Sequence, residues 1–224
     1  MREDICTIPI SEVFEENDGC PICRMRNTIE KRTLDYIMGA AMMEPEIRIE
    51  TNRLGFCDEH LGMMMDMRGR HALALMLTSH IEEIRKKIFK NDFFGAKVKN
   101  AGKVTESCFV CEKMAWGMDR MRASIYRLYD SERDFRNMFD NQPYLCVKHY
   151  KWLADGVNNV SKKYRTEFIK SINKLSGEYL DVLHNDLEHF CSMYDYRNNT
   201  PDADWGNSRD SVERTFLFLT SREK

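Results

Sequence analysis

The chain has 224 residues, of which 42% are hydrophobic and 31% are charged, with 11 glycines and 5 prolines. This composition excludes a wholly disordered or collagen-like chain and is typical of a folded protein of one or two domains. The 34 basic and 36 acidic residues leave a formal net charge of -2, so there is no overall attraction to nucleic acid or anionic membranes. The 15 methionines and the scarcity of glycine and proline favour a helical protein.

The beginning of the chain favours a cytoplasmic protein. Residues 1–4 are mostly polar and no apolar signal segment follows them, while no run approaches the roughly 18 apolar residues of a membrane span. We therefore expect no membrane association and a reducing compartment, in which the eight cysteines remain thiols. Clustered cysteines in that compartment are more typical of metal sites than of disulfides.

The first copy of a repeated pattern begins at Cys20-Pro-Ile-Cys23. An apolar stripe with helical spacing follows it, formed by Met25, Ile29, Leu34, Ile37, Met38 and Ala41. A short helix is predicted over 45–53, with Pro45 in its first turn, where the missing N–H costs little. Cys57-Asp-Glu-His60 is expected to begin a further helix, and helical spacing of apolar residues continues over 73–88.

Residues 91–107 are predicted to be a linker, because they are rich in glycine, asparagine and lysine and poor in apolar residues. The second copy then repeats the order of the first. Cys108-Phe-Val-Cys111 precedes a stripe formed by Met114, Met118, Met121, Ile125 and Leu128. A short helix is predicted over 132–140, and Cys146-Val-Lys-His149 is expected to begin another.

A long helix dominates the prediction for the C-terminal part. Apolar residues with helical spacing from Tyr164 to Phe190 predict a helix of about thirty residues. A loop is expected over 198–207, followed by a short helix near 208–220 that Asn207 or Ser208 would cap. The predicted class is therefore all-α. We predict a first helical metal-binding copy at 1–90, a linker at 91–107, a second copy with the long helix at 108–197, and a C-terminal loop and short helix at 198–224.

The two copies share spacing and some identities. Between the inner cysteines of each copy lie 33 residues in the first (Cys23 to Cys57) and 34 in the second (Cys111 to Cys146). At an offset of 88 residues, matching residues fall in register, including Arg32 with Arg120 and Ile37 with Ile125. These matches indicate a duplicated helical unit.

Each copy offers three thiolates and one imidazole, a set typical of structural zinc, which binds four donors tetrahedrally and leaves no position for water. We predict that each copy closes its own zinc site. The ligands would be Cys20, Cys23, Cys57 and His60 in the first copy, and Cys108, Cys111, Cys146 and His149 in the second. Closing a loop of about 35 residues costs several kcal/mol of chain entropy, which bound zinc can offset.

Other interpretations of these residues stay open. Iron–sulfur clusters also use thiolates and sometimes imidazoles, and buried free thiols or disulfides are further alternatives. Outside the pattern, ordinary thiols and satisfied or solvent-facing imidazoles are expected at Cys6, Cys191, His71, His80, His184 and His189. The basic stretch is interpreted as a solvated face, with nucleic-acid contact as the weaker alternative, and comprises Arg85, Lys86, Lys87, Lys90, Lys97, Lys99 and Lys103.

The order of these motifs resembles that of a family of bacterial proteins, common in anaerobes, that is defined only as a domain of unknown function. The resemblance rests on Ile8-Pro9-Ile10-x-Glu12-x-Phe14, Asp18-Gly19-Cys20-Pro21-Ile22-Cys23, Gly55-Phe56-Cys57-x-x-His60, Cys108-x-x-Cys111, Leu145-Cys146-x-x-His149-Tyr150 and Trp205-Gly206. It covers nearly the whole chain. It implies that the four cysteine and histidine pairs belong together, and no activity.

No Ser-His-Asp set, phosphate-binding glycine loop or paired-carboxylate signature stands out. A four-ligand ion also offers no open position for catalysis. We therefore predict a non-enzymatic, zinc-stabilised protein-interaction or regulatory module, with a protein partner because the charge is balanced. The alternatives are a redox-responsive or iron–sulfur protein using the same cysteines, a nucleic-acid-binding zinc protein, and an enzyme if one site is open.

Overall fold

The computed structural model describes residues 10–90, 94–198, 200 and 203–221. Every regular element in these ranges is helical and none is a strand, which confirms the all-α class. None of the described helices has the length and apolar composition that crossing a bilayer requires. The described α-helices are α1 Ile10–Glu15, α2 Pro21–Met38, α3 Pro45–Leu54, α4 Asp58–Asp66, α5 Arg70–Ile84, α6 Phe94–Thr105, α7 Phe109–Ser131, α8 Arg133–Asp140, α9 Val147–Asp155, α10 Arg165–Ser192 and α11 Ser211–Thr220.

The predicted short helices after each stripe are α3 and α8, and the long C-terminal helix is α10, with 28 residues. The segment predicted as a linker contains a helix, because α6 runs from Phe94 to Thr105. Its role as the join between the two copies stays a prediction. One local prediction was wrong. The N-cap position of the last helix is Asp210, whose side chain makes no capping hydrogen bond, and not Asn207 or Ser208. The Ser208 hydroxyl instead donates to the Trp205 carbonyl oxygen at 2.6 Å and closes a turn.

Two compact units make up the chain, and they are not the two sequence copies. The described residues of unit 1 lie within 26–119, and those of unit 2 lie within 10–25 and 120–221. The division falls inside α2 and α7, so each of these helices contributes its first turns to one unit and its remainder to the other.

Unit 1 has a core of aliphatic and methionine side chains, including Leu34, Ile37, Met38, Leu54, Met64, Leu73, Met76, Phe109 and Val110. Within it, α3 packs along α5. The contact is close at Gly55 (φ +64°), where a Cβ would lie 2.5 Å from the His80 ring, so only glycine fits there. The buried His80 donates from Nδ1 to the Asn52 carbonyl oxygen at 2.9 Å, which agrees with its prediction as a satisfied histidine.

Unit 2 has an aromatic core. Phe14, Tyr129, Phe135, Phe139 and Phe168 are fully buried. Ring pairs among them have centroids 4.9 to 6.4 Å apart, mostly in edge-to-face or tilted arrangements. Such pairs contribute about 0.5–1.5 kcal/mol each beyond area burial. The long α10 packs against α8, α9 and α11 and contributes Phe168 to this core.

Candidate metal sites

All four predicted ligand pairs occupy the same local structure at a helix N-terminus. The first cysteine of each pair immediately precedes α2, α4, α7 or α9, and its carbonyl oxygen accepts the first helical hydrogen bond at 2.8 to 3.2 Å. The second ligand is the third residue of the same helix. This arrangement aims both donor atoms outward from the first turn, where the positive end of the helix favours thiolates. It confirms that each C-x2-H segment begins a helix.

The donor atoms converge in two groups of four, and in each group all donors lie within 4.8 Å of one another. Site 1, in unit 1, consists of Cys57, His60, Cys108 and Cys111. Site 2, in unit 2, consists of Cys20, Cys23, Cys146 and His149. Two Cys3His groups are therefore confirmed as candidate metal sites. The predicted pairing was wrong, because each C-x2-C meets the C-x2-H of the other copy.

Helix lengths explain why the pairs cross. After Cys23 the chain follows α2 to Met38, which extends it by about 27 Å from the start of the helix at 1.5 Å per residue. The next α-helix, α3, has 10 residues, so even a full return along α2 would recover only about 15 Å. The next ligand pair therefore stops level with Glu30, whose side chain contacts His60, and does not reach Cys20 and Cys23. The second copy has a greater mismatch, because α7 has 23 residues and α8 has 8.

Site 2 has the spacing of a tetrahedral centre. The Sγ atoms of Cys23 and Cys146 are 3.6 Å apart. His149 Nδ1 lies 3.1 Å from Cys146 Sγ, 3.3 Å from Cys23 Sγ and 3.6 Å from Cys20 Sγ. Zinc bound tetrahedrally at its usual bond lengths would place sulfurs about 3.8 Å apart and a nitrogen about 3.5 Å from each sulfur. The donor set therefore fits such an ion.

Site 1 has nearly the same geometry. Cys57 Sγ and Cys111 Sγ are 3.9 Å apart. His60 Nδ1 lies 3.1 Å from Cys57 Sγ and 3.4 Å from the sulfurs of both Cys108 and Cys111. Both histidines thus direct Nδ1 to the sulfurs, and the residues of site 1 also fit a tetrahedral ion.

The cysteine pKa values in site 2 show why the cluster suits a cation. Hydrogen bonds from Cys20 and Cys23 lower the pKa of Cys146 far below its usual range. Burial raises the pKa of Cys20 to about 12, and its hydrogen bond to Cys146 acts in the same direction. One thiolate is therefore favoured and further thiolates are opposed, and a divalent ion removes that opposition.

The pKa values of the site 1 cysteines also favour one thiolate and oppose a second. Burial raises the pKa of Cys108, but the hydrogen bond with His60 and bonds from backbone amides outweigh burial and lower it to about 6. Burial and the charge on Cys108 raise the pKa of Cys111 to about 12. Burial lowers the pKa of His60, but hydrogen bonds to Cys108 and Glu30 outweigh it and raise the value to about 10.

Site 1 has a carboxylate behind its histidine. Glu30, on α2, accepts a hydrogen bond from His60 Nε2 at 3.0 Å. Because Nε2 donates its proton to the carboxylate, Nδ1 is the ring nitrogen that faces the sulfurs. Such a hydrogen bond orients metal-binding histidines and raises their basicity. Among the described residues, His149 has no carboxylate partner in site 2, and its ring packs edge-on against Trp152 with centroids 6.4 Å apart.

Site 2 is instead closed by the C-terminal helix. Ser221 follows α11, and its Oγ lies 3.1 Å from Cys146 Sγ, where the hydroxyl can donate to a thiolate. Its backbone adopts the left-handed conformation (φ 59°) and its N–H donates to the Leu217 carbonyl oxygen, ending the helix there. All four site 2 ligands are buried. In site 1, Cys57 is half-buried and Cys111 is exposed.

Sequence reasoning missed Glu30 and Ser221, because they lie 30 residues before His60 and 75 residues after Cys146. No local spacing links either residue to the ligand that it contacts. Residues interpreted as ordinary stay outside the sites: Cys191 is an exposed thiol, and His184 is an exposed imidazole 3.7 Å from Glu188. Cys6 lies outside the described residues.

The fold and the donor groups define a class: an all-helical protein with two candidate Cys3His metal sites. The chain belongs to the DUF6062 family, a family of unknown function, whose family model matches residues 1–224. The resemblance to a family of unknown function is thereby confirmed. Neither the curated proteins nor the solved structures include a match to the chain.

Proposed function

We propose that the chain is a zinc-stabilised, non-enzymatic helical protein that acts as a protein-interaction or regulatory module. The observation that carries this proposal is the presence of two four-donor groups with tetrahedral spacing. Three thiolates and an imidazole are characteristic ligands of structural zinc. Zinc would hold two helix N-termini together in each unit and offset the entropy of closing the intervening loops.

Metal analysis tests the identity of the ion. Untagged full-length protein, purified without oxygen, is expected to contain two zinc ions per chain and to show no visible absorption band. If the protein instead contained iron and acid-labile sulfide and were brown, the sites would hold an iron–sulfur cluster, and a redox carrier or sensor would be favoured.

The non-enzymatic part rests on the closed donor sets. Four protein donors saturate a tetrahedral zinc ion and leave no position for a reacting water. X-ray absorption spectroscopy of the zinc-loaded chain should give an average of three sulfurs and one nitrogen per ion. An oxygen ligand at either ion would support the enzymatic alternative.

A protein partner is favoured over nucleic acid because the formal net charge is only -2. The cytoplasm is favoured as the compartment because a reducing environment preserves thiolate ligands. A partner bound through apolar and neutral polar contacts should remain bound to the full-length chain when salt is raised. If the chain bound purified RNA or DNA with a log affinity that fell linearly with log salt, the nucleic-acid alternative would be favoured.

A second function, redox sensing at site 1, is favoured by one observation: Cys111 is exposed and lies 3.9 Å from the half-buried Cys57. Hydrogen peroxide would oxidise these two thiolates to a disulfide, with two protons taken up and two waters formed, and the ion would lose two ligands. Peroxide titration should release one zinc per chain and form a Cys57–Cys111 disulfide, identifiable by peptide mass, before site 2 reacts. Equal release from both sites would argue against this function.

A further inference from the structure

Unit 1 contains a cavity of about 580 Å³ that the metal sites do not use. Its walls come from the end of α3, the π-helical segment Arg85–Phe89 that follows α5, and the second half of α6. A volume of this size lies within the range of small-molecule sites. The described residues that line it all belong to unit 1.

Three cationic side chains line this cavity: Arg53, Lys87 and Lys103. Glu106 is the single carboxylate among the described lining residues, so these residues carry a formal charge of +2 (three positive charges and one negative). The cations come from three different elements, so they surround the space rather than follow one exposed helix face. Such an arrangement favours an anion that several cations can contact at once.

The existing ion pairs of these cations are weak competitors. Arg53 lies 3.7 Å from Glu112, and Lys87 lies 3.3 Å from Glu83 one helical turn away. All four side chains are at least one-third exposed, and such surface pairs typically contribute only about 0.2–1 kcal/mol. Within the described residues, Lys103 makes no ion pair shorter than 4 Å. An incoming anion could therefore recruit all three cations.

The rest of the lining is ordered and partly apolar. Asn100 donates from Nδ2 to the Lys87 carbonyl oxygen at 2.9 Å, which ties α6 to the π-helical segment and leaves Oδ1 as an acceptor. Leu54 and Val104 supply apolar surface. The Ser107 hydroxyl lies 2.7 Å from the Leu54 carbonyl oxygen, so the two ends of the wall are joined.

We propose that this cavity binds a small organic phosphate, with its phosphate groups among Arg53, Lys87 and Lys103 and its organic part against Leu54 and Val104. Arginine and lysine together suit phosphate oxygens, because the guanidinium offers a planar fork and the ammonium groups offer mobile point charges. The binding site is separate from the proposed zinc ligands and does not depend on the identity of the metal. Its wall nevertheless adjoins site 1, since Ser107 precedes Cys108 in the chain.

Calorimetric titration of the full-length, metal-loaded protein with pyrophosphate tests the cationic part. The double variant Lys87→Ala/Lys103→Ala should weaken pyrophosphate binding at least about tenfold, because two charged contacts are lost. The matched control is Lys99→Ala, which removes an exposed lysine of the same helix that does not line the cavity and should change affinity less than about twofold. Circular dichroism and metal content should be the same in all three proteins.

Two results would overturn the proposal. One is the absence of pyrophosphate binding at millimolar concentration. The other is an equal loss of affinity in Lys99→Ala and the double variant, with single-stranded RNA bound more tightly than pyrophosphate, which would make the basic stretch a diffuse nucleic-acid surface.

A second titration distinguishes an organic phosphate from free phosphate. ATP should bind more tightly than inorganic triphosphate. The Val104→Asp substitution should lower the affinity for ATP by a larger factor than the affinity for triphosphate. Equal binding of ATP and triphosphate would overturn the organic part and leave an inorganic phosphate site.

Discussion

Sites 1 and 2 have the same donor set and the same helix N-terminal geometry, but they differ in what surrounds the donors. Site 2 buries all four ligands, whereas site 1 exposes Cys111 and half-exposes Cys57. The similar spacing of donor atoms indicates that both can hold the same kind of ion. The donors therefore determine whether an ion binds, while burial determines how readily oxidants, chelators and competing ligands reach it.

The outer contacts of the two sites differ in kind as well. In site 1 the carboxylate of Glu30 supports the histidine. In site 2 the hydroxyl of Ser221 supports a cysteine and belongs to a helix that packs on α9 and α10. Supporting the imidazole strengthens its donation to the ion, whereas a hydroxyl beside the sulfur stabilises the thiolate form that binds the ion.

Removing a cysteine from each site should give the largest difference between them. Cys23→Ser is expected to lose one metal per chain, lower the soluble yield and unfold unit 2, because a structural zinc site can contribute on the order of 10 kcal/mol. Cys111→Ser should also lose one metal but cost less stability, because its exposed position can be solvated. Metal content and thermal melting measure both effects, with Cys191→Ser, at an exposed thiol outside the sites, as the control. A variant that retained both metals would show that the ligand assignment is wrong.

Cutting the chain within α6 should test the crossed pairing directly. A protease site inserted between Lys97 and Lys103 would leave two pieces, each of which supplies two ligands to each site. The cut pieces are expected to elute together on size exclusion with two metals. A chelator should then weaken their association, because metal bonds join the pieces in addition to the packing of their side chains. Separate pieces that each keep one metal would instead show that the ligands of each ion come from a single copy.

Glu30→Gln should weaken metal binding at site 1 by about 10- to 100-fold and leave site 2 unchanged. The amide keeps the size of the side chain but loses the charge that supports the His60 imidazole. Competition with a chromogenic chelator measures both affinities in one titration. Glu46→Gln, at an exposed carboxylate of the same unit, is the matched control. An equal loss of affinity at the two sites would contradict a role specific to His60.

Substitution of Ser221 should have the smallest effect, and it separates the hydroxyl from the backbone. Loss of the hydroxyl removes one hydrogen bond to Cys146, worth about 1 kcal/mol, so zinc should leave site 2 a few times faster in both Ser221→Gly and Ser221→Ala. Glycine accepts the left-handed backbone more readily than alanine, so Ser221→Gly should melt at the higher temperature of the two. Unchanged zinc release in both variants would mean that the helix closes the site without help from the hydroxyl.

Spacing along the chain was sufficient to predict the described helices other than α1 and α6, the helix starts at the ligand pairs and the presence of two Cys3His groups, since each depends on residues close together in sequence. The Cys146-Val-Lys-His149 segment is an example, because one helical turn alone brings its two donors together. The partners of each pair depend instead on the lengths of α2 and α7 relative to the short helices that follow them. The gaps of 33 and 34 residues suit either pairing, so they could not reveal the crossing.

Patterns within the chain are thus sufficient to predict the all-α class, the eight candidate ligands and two sets of three cysteines and one histidine. Tertiary packing is needed to bring Cys20 and Cys23 to Cys146 and His149, to place Glu30 against His60 and to leave Cys111 exposed. Helix starts and metal-binding turns depend on neighbouring residues, whereas ligand partners, hydrogen bonds to the ligands and burial depend on how helices distant in sequence pack together.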